Sequence, residues 1–242
     1  MAQLDVNQQG RVLVLTMTRP DSGNRITQSM AEELTAALAA ARRDDAIAGC
    51  VLTGRGNIFC LGGDYQSAGR STAGRMAFGR SHVDLFNEAA RLGKPLVAAV
   101  NGDAHAGGFS LVVACDMAFV AEDATLGLPE TLHGLFPFLA LAIARDALPK
   151  KVLFDIIYNA RLLGAREACA LHLANAALAR DAVLPRSIEV VERAAGGNPQ
   201  VLALGRDLYY AMRGLTPAAA LDKSRIALVS ALAAREEHRS VE

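Results

Sequence analysis

The sequence predicts an α/β core followed by a helical C-terminal region. Short apolar runs bounded by turn residues, at 49–53 and 96–100, are typical of strands that are covered on both faces. Such runs alternate with segments of helical periodicity through the first three quarters of the chain, whereas helical patterns alone follow from about residue 185. We therefore predict a core formed by residues 1–184 and a helical region formed by residues 185–242.

Composition narrows the range of partners and locations. The chain has 242 residues, of which 52% are apolar, enough for one large domain with a sizeable core. Lysine plus arginine and aspartate plus glutamate each number 25, so the formal charge is zero, and we expect no nucleic acid or anionic membrane as a partner. No apolar run reaches membrane-spanning length, and the first 20 residues lack a secretory pattern, which predicts a cytoplasmic protein.

The cysteines predict neither a disulfide framework nor a metal centre. They are widely spaced, lie in apolar surroundings, and show no CxxC or Cys/His ligand spacing. We expect buried, reduced thiols at Cys50, Cys60, Cys115 and Cys169.

The first half of the chain predicts strands and helices in alternation. A hairpin turns at Gln9-Gly10, and Thr27 is a credible N-cap for the helix that follows it. Residues 65–79 are small, polar and basic without clear periodicity, which predicts an irregular segment. The other predicted elements are a strand at 12–17, a helix at 29–43, a strand at 49–53 and a helix at 80–92.

The second half is organised around residues 94–120. This segment predicts a buried strand at 96–100, a Gly-Gly pair that opens a short apolar helix, and a second strand at 117–120. Beyond it we expect a strand at 124–128, a turn at 129–131, and helices at 135–147, 149–157, 165–173, 186–195, 199–212 and 217–235.

Two glycine loops follow buried strands and are candidate binding elements. They are Gly62-Gly63-Asp64 and Ala106-Gly107-Gly108. A helix start offers backbone N–H groups without internal partners, and glycine lets a ligand approach the backbone closely. Gly107 could therefore supply an oxyanion-binding N–H. The alternative is a tight strand-to-helix turn, which is the commoner origin of such loops.

Glu130, in the segment LGLPETLHG, is the candidate acid/base. Two convergent N–H groups would stabilise negative charge on a thioester oxygen, and one carboxylate would move a proton at the adjacent carbon. Apolar surroundings would raise the pKa of that carboxylate and make it a better base. The alternative is a solvated turn residue, which is the more frequent position for glutamate.

Several motifs in the expected order give the chain a specific resemblance. They are RPDSGN (19–24), VLTGRGNIFCLGGD (51–64), KPLVAAVNG (94–102), AGGFSLVVACD (106–116), LGLPETLHGLFP (126–137) and ARLLGAREACALHLAN (160–175). With these motifs, residues 12 to 237 resemble the crotonase superfamily of enoyl-CoA hydratases and isomerases. The resemblance implies a spiral of ββα turns with a C-terminal helical oligomerisation region.

The resemblance also implies residue roles and partners. Gly63 and Gly107 would supply the oxyanion-hole N–H groups, and Glu130 would act on an acyl-CoA substrate. The expected assembly is a homotrimer or hexamer, and no metal or redox cofactor is expected because coenzyme A is part of the substrate. The residues implied to border bound coenzyme A are Ser22, Gly23, Leu61, Gly62, Asp64 and Tyr65.

Departures from the family pattern narrow the reaction. Family hydratases usually carry a second glutamate in the helix after the glycine loop, where this chain has Ser110, which could hold a water or pack. One carboxylate suffices to carry a proton between C2 and C4 of an enoyl thioester, so we favour Δ3,Δ2-enoyl-CoA isomerisation. The alternatives are hydration of trans-2-enoyl-CoA, another enolate reaction, and a non-catalytic CoA-ester-binding subunit.

Other departures bear on the binding pocket. Pro137-Phe138-Leu139-Ala140 replaces the family's glycine-rich segment and could narrow the acyl pocket. Asp21 stands where a basic residue is common, and the candidates to replace that contact with coenzyme A are Arg70, Arg75 and Arg80. His105 and His133 could assist proton transfer, although turn histidines are more often solvated or bonded to backbone.

Overall fold

The computed structural model describes residues 2–239, with side chains through residue 233. The strands are β1 (Leu4–Gln9), β2 (Val12–Met17), β3 (Gly49–Gly54), β4 (Ile58–Cys60), β5 (Leu96–Val100), β6 (Asp103–His105), β7 (Met117–Ala121), β8 (Thr125–Gly127), β9 (Leu162–Gly164) and β10 (Ala176–Leu178). The α-helices are α1 (Gln28–Arg43), α2 (Thr72–Arg91), α3 (Gly107–Ala114), α4 (Phe138–Ala144), α5 (Lys150–Tyr158), α6 (Ala165–Ala170), α7 (Arg180–Ala195), α8 (Pro199–Ala211) and α9 (Pro217–Arg239).

The strands form two sheets that the chain visits alternately. The larger sheet has the order β1-β2-β3-β5-β7-β10 and the smaller has β4-β6-β8-β9. In the larger sheet only the β1–β2 pair is antiparallel, and in the smaller sheet only β8–β9 is. Each of the pairs β3–β4, β5–β6 and β7–β8 gives its first strand to the large sheet and its second to the small one. Helices follow these pairs, so the predicted spiral of ββα turns is confirmed.

The apolar runs form strands because both of their faces are buried. Every residue of β3 and of β5 is buried, which is the environment that short, mainly apolar runs fit. Helix α1 turns Met30, Leu34 and Leu38 into the same core. Its start is fixed by Thr27, whose Oγ1 accepts a hydrogen bond of 3.0 Å from the Met30 N–H, as predicted from the sequence.

The sequence reading of residues 65–79 as irregular is wrong for its second half. Helix α2 begins at Thr72, and the Ser71 side chain accepts a hydrogen bond of 3.0 Å from the Gly74 N–H. Small residues and glycine hide the helical period there, while the cap and the burial of Phe78 stabilise the helix. The strands β4, β6, β9 and β10 were also missed, because three residues are too few to show a period.

The sequence predicts a helix at 186–195 with Pro185 just before it. In the structure, helix α7 begins earlier, at Arg180. Pro185 lies in the second turn of α7 and removes one backbone hydrogen bond there. Burial of Val183, Ser187 and Val191 against strands β3, β5 and β7 stabilises the helix nevertheless. Helix α7 runs through the predicted boundary at 184/185. The division into a core and a C-terminal region stays a prediction.

Helices α8 and α9 continue the chain beyond α7. Helix α8 contains no buried residue, and α9 exposes several large apolar side chains. None of the helices among residues 2–239 is both long and apolar enough to span a membrane.

Candidate active site

A backbone bridge pairs Ile26 with Gly63 but does not use the Gly63 N–H. Ile26 donates its N–H to the Gly62 carbonyl at 2.8 Å, and Asp64 donates its N–H to the Ile26 carbonyl at 2.8 Å. These two hydrogen bonds flank Gly63 and hold the loop in place. The N–H of Gly63 itself takes no part in the bridge.

The Gly107 amide opens helix α3, so it has no acceptor within the helix. The residue before it, Ala106, has φ +53° and ψ −118°, a region that alanine rarely adopts. Two hydrogen bonds hold this conformation. Ala106 donates its N–H to the Gly127 carbonyl at 2.9 Å, and its own carbonyl accepts from the Ser110 N–H at 3.1 Å.

The two glycine loops are in direct contact. A methyl group on Gly107 would lie 3.3 Å from the Gly63 nitrogen. Gly62 has φ +105°, and a methyl group there would lie 2.7 Å from the Ala106 Cβ, so a side chain at Gly62 is excluded on both grounds. The amides of Gly63 and Gly107 therefore lie at one junction, with room left by the missing side chains.

Glu130 lies in a 3-10 helix, Pro129–His133, and is buried, with 6% of its surface exposed. The turn is held by Thr131, whose hydroxyl donates to the Ile157 carbonyl at 2.9 Å. Burial raises the pKa of the Glu130 carboxyl, and the hydrogen bond from its own backbone N–H opposes that shift. Among the described residues, Glu130 Oε2 has no hydrogen-bond partner. The alternative of a solvated turn residue is therefore excluded.

Two cavities meet at Gly63 and Glu130. The first, of about 580 Å³, we call the aromatic cavity, and the second, of about 920 Å³, the polar cavity. Gly63, Tyr65, Glu130 and Leu135 line both of them. The aromatic cavity is further lined by Phe78, His82, Phe86, Gly107, Ser110, Phe136 and Phe138, and the polar cavity by Arg19, Asp21, Ser22, Gly23, Arg25, Leu61, Asp64, His105 and His133.

The structure brings most of the residues singled out in the sequence to this double cavity. Ser22, Gly23, Leu61, Asp64 and Tyr65 line the polar cavity. Gly62 lies between these loop residues and packs against Ala106. Ser110 and Gly107 lie across the junction, in the aromatic cavity.

The cations of the polar cavity are Arg19 and Arg25, which sequence reasoning missed. Arg19 forms an ion pair of 3.0 Å with Asp64, and Arg25 donates to the Leu61 carbonyl at 2.7 Å. Arg19 is the first residue of the RPDSGN motif and Arg25 directly follows it, a signal that was available in the sequence. Of the arginines predicted for this role, Arg75 lines the aromatic cavity instead, and Arg80 forms an ion pair of 3.0 Å with Asp84.

Comparison with known proteins assigns the family. Residues 7–238 match the enoyl-CoA hydratase/isomerase family. The chain belongs to this family. A relative from Thermus thermophilus, named a putative enoyl-CoA hydratase, is 34% identical over 212 residues, which cover 86% of this chain and 84% of the relative. A carnitinyl-CoA dehydratase from Proteus mirabilis is 27% identical over 215 residues, covering 88% of this chain and 82% of that protein.

The fold comparison agrees with the sequence comparison. The crystal structure of an enoyl-CoA hydratase from Mycobacterium smegmatis has a TM-score of 0.91 and 24% identity, and covers 95% of this chain and 91% of that one. The predicted crotonase-type fold is thereby confirmed, and the family match confirms the predicted superfamily. The names of the relatives are mostly those of hydratases and dehydratases, so the preference for isomerisation rests on this chain's own residues.

In this member of the enoyl-CoA hydratase/isomerase family, Ser110 offers no second carboxylate to the aromatic cavity. Its side chain is buried, and its Oγ donates a hydrogen bond of 3.2 Å to the Ala106 carbonyl. Cys60 is no nucleophile here, because complete burial raises the pKa of its thiol to about 12. Glu130 is therefore the carboxylate that both cavities share.

The two histidines considered from the sequence lie on the polar side. His105 Nε2 lies 2.8 Å from Thr125 Oγ1, and the Thr125 hydroxyl donates to Asp103 at 2.8 Å. A hydroxyl that donates to the carboxylate accepts from the imidazole, so His105 carries its proton on Nε2. His133 is exposed at the cavity edge.

His82, on helix α2, is a cavity residue that sequence reasoning missed. Its ring lies 4.2 Å from the ring of Phe78, and burial lowers its pKa. Nothing in the periodicity of the helix marks the residue. Among residues with described side chains, no group of three or more histidine, cysteine, aspartate or glutamate residues is placed to hold a metal ion.

Proposed function

We propose that this chain catalyses an enolate reaction on an acyl-CoA thioester. The N–H groups of Gly63 and Gly107 bind the thioester oxygen, and Glu130 is the acid/base. One observation carries the proposal: Glu130 is a buried carboxylate without a partner for Oε2, at the junction where Gly63 lines both cavities. A buried carboxylate with one oxygen unpaired is costly, and such groups occur where function requires them.

The chemistry follows from the charges involved. Removing a proton from C2 leaves negative charge on the thioester oxygen, and two fixed N–H donors stabilise that charge without reorganising. Burial raises the pKa of Glu130, which strengthens it as a base. The same carboxyl then returns the proton, at C4 in an isomerisation.

Within this class we propose Δ3,Δ2-enoyl-CoA isomerisation as the leading reaction. Ser110 stands in the aromatic cavity where family hydratases have a glutamate, and its hydroxyl is bonded to the Ala106 carbonyl. Glu130 alone can shuttle a proton, whereas hydration also requires a group that holds and activates water. Hydration is the second candidate, because the relatives are mostly named hydratases and dehydratases.

Two assays separate these reactions. Purified protein is given a trans-3-enoyl-CoA and, separately, a trans-2-enoyl-CoA, and absorbance of the conjugated thioester is followed. A rise with the first and no change with the second is expected for an isomerase. A fall with the second would replace isomerisation by hydration. No absorbance change with either substrate, while acyl-CoA esters still bind, would favour another enolate reaction or a non-catalytic subunit.

The polar cavity is proposed to hold coenzyme A. Leu61, Gly63, Asp64 and Tyr65 line it, with Gly23 in contact with Leu61 and Ser22 beside it, and Arg19 and Arg25 supply positive charge for the phosphates. Guanidinium groups suit phosphate oxygens because several donors are fixed in one plane. We propose no further cofactor, since the thioester itself carries the coenzyme.

We propose a homotrimer or hexamer in the cytoplasm. Helix α9 exposes Leu221, Ile226, Leu228 and Val229, an apolar set that a neighbouring subunit would cover. Sedimentation analysis would show three or six chains, and a monomer would contradict the proposal. The buried free thiols Cys50 and Cys60 fit a reducing compartment.

A further inference from the structure

Arg75 is the one permanent cation among the described residues that line the aromatic cavity. It is the fourth residue of helix α2, and it is exposed. Among residues with described side chains, its guanidinium forms no ion pair and no hydrogen bond and lies over no aromatic ring. Arg80, further along the same helix, is instead paired with Asp84 at 3.0 Å. The charge of Arg75 is therefore available to a ligand in the cavity.

The N-terminus of α2 adds to this positive charge. The first turn of the helix contains no acidic residue, and its cap is a neutral hydroxyl, Ser71 Oγ, which accepts from the Gly74 N–H. The helix dipole is positive at this end, so a cation here is unfavourable for the helix itself. Helix stability therefore does not explain Arg75. A bound anion would be stabilised by the guanidinium and by the dipole together.

The position of Arg75 on α2 sets its distance from the reacting group. Arg75, Phe78, His82 and Phe86 form one stripe of α2 along the cavity. Phe78 marks the junction of the glycine loops, because a methyl group on Gly63 would lie 3.2 Å from its ring. At 1.5 Å per residue, Arg75 lies about 4.5 Å before Phe78 along the helix axis, and Phe86 lies about 12 Å after it. A chain that starts at the junction therefore has a short path to a cation and a longer path along apolar surface.

The other charged groups of the site leave Arg75 unused. The pKa of Glu130 is shifted by burial and by its own backbone hydrogen bond, and Arg75 does not act on it. The polar cavity, proposed to hold coenzyme A, has its own cations in Arg19 and Arg25. Phe136 and Phe138 line the aromatic cavity with Arg75, so the ligand that suits it has an apolar body and an anionic end.

We propose that Arg75 binds a carboxylate at the end of a short acyl chain, so that the preferred substrates are ω-carboxyacyl-CoA thioesters. The inference rests on the proposed function and specifies the substrate class of the same site. A carboxylate fits because a guanidinium can donate two parallel hydrogen bonds to its two oxygens. Longer chains without a charge follow the stripe toward Phe86 and do not need Arg75.

The test compares binding of saturated acyl-CoAs of increasing chain length with their ω-carboxy counterparts by calorimetry. At the best length, the ω-carboxy ligand should bind about tenfold more tightly than the plain chain, the gain expected from one charge-assisted contact. Arg75→Met keeps the apolar stem and should abolish this preference, whereas Arg75→Lys should retain part of it. Arg70→Met is the matched control: Arg70 is exposed nearby, does not line the cavity, and should leave the ratio unchanged.

The ratio of the two affinities isolates the carboxylate, since coenzyme A is common to both ligands, and it should fall as salt concentration rises. Equal or weaker binding of the ω-carboxy ligand at every length, or a preference that survives Arg75→Met, would overturn the inference. An equal loss of plain and carboxylated ligands in Arg75→Met would place Arg75 at the phosphates of coenzyme A and would overturn it as well.

These ligands undergo no turnover, so the inference and the proposed reaction fail separately. A protein that isomerises trans-3-enoyl-CoA but shows no carboxylate preference would refute the inference alone. A preference that depends on Arg75 in a protein without enoyl-CoA turnover would support the inference and count against the proposed reaction. Failure of every acyl-CoA to bind would refute both.

Discussion

Replacing Glu130 by glutamine removes the carboxylate and changes little else. The amide has the same shape, and the site is buried, with 6% of the residue exposed. No ion pair is lost, because Oε2 has no partner within the described residues. The perturbation is therefore confined to the ability to take up and return a proton.

The expected loss is large in rate and small in binding. General acid–base catalysis by one positioned group contributes about 10²–10⁴-fold, and Glu130 carries both proton transfers in the proposed reaction. We therefore expect kcat to fall by about three orders of magnitude, with the dissociation constant for a saturated acyl-CoA changed by less than about threefold.

The assay follows formation of the conjugated thioester from trans-3-enoyl-CoA. Glu32→Gln is the matched control, since Glu32 is exposed on α1 and should leave the rate unchanged. A Glu130→Gln enzyme that retains a tenth or more of the wild-type kcat would refute the assignment of Glu130 as the acid/base.

The same substitution has a pH signature in stability. Burial raises the pKa of Glu130 in the folded protein above its ordinary value of 4.5. The folded state therefore binds this proton more tightly than the unfolded state, and the stabilising contribution is lost as pH rises through the folded pKa. Glu130→Gln should melt like the wild type at pH 4 and at a higher temperature than the wild type at pH 8. A lower melting temperature at pH 8 would contradict this expectation.

Three further predictions concern the rest of the site. Gly107→Ala places a methyl group 3.3 Å from the Gly63 nitrogen and should lower kcat by about 10²–10³-fold. The control Gly205→Ala, with open space around it, should keep full activity. Equal rates for the two variants would refute the role of Gly107. Arg25→Met should raise the KM for enoyl-CoA about tenfold and leave kcat unchanged. The KM of a short pantetheine thioester, which lacks the nucleotide phosphates, should stay the same. An equal rise in KM for both substrates would contradict phosphate binding. Ser110→Ala should leave isomerisation within about threefold, because the hydroxyl is bonded to backbone in the helix; a large loss would give Ser110 a role in the reaction.

The fold was predictable where local pattern and burial coincide. The runs in β3 and β5 are wholly buried, and so their apolar sequence alone identifies them. The resemblance that the ordered motifs carry also implied the spiral and a single site for Gly63, Gly107 and Glu130. Such signals are strong because each one combines a turn, a strand end and a glycine at fixed spacing.

The parts that escaped prediction depend on tertiary contacts. The first two turns of α2 contain small residues, and only the Ser71 cap and the burial of Phe78 show why they are helical. The burial of Glu130 required the fold, since its local sequence is a turn. His82 resembles any residue of an amphipathic helix until the cavity beside it and its unpaired Nε2 are seen.

The central claim is that Glu130 removes a C2 proton while Gly63 and Gly107 hold the thioester oxygen. Exchange of the C2 protons of an acyl-CoA in heavy water, followed by proton NMR, tests it directly, whichever reaction follows the enolate. The wild-type protein should exchange C2 hydrogen for deuterium, and Glu130→Gln should not do so at a measurable rate. Retention of the C2 proton signal by wild-type protein that is saturated with the thioester would contradict the account.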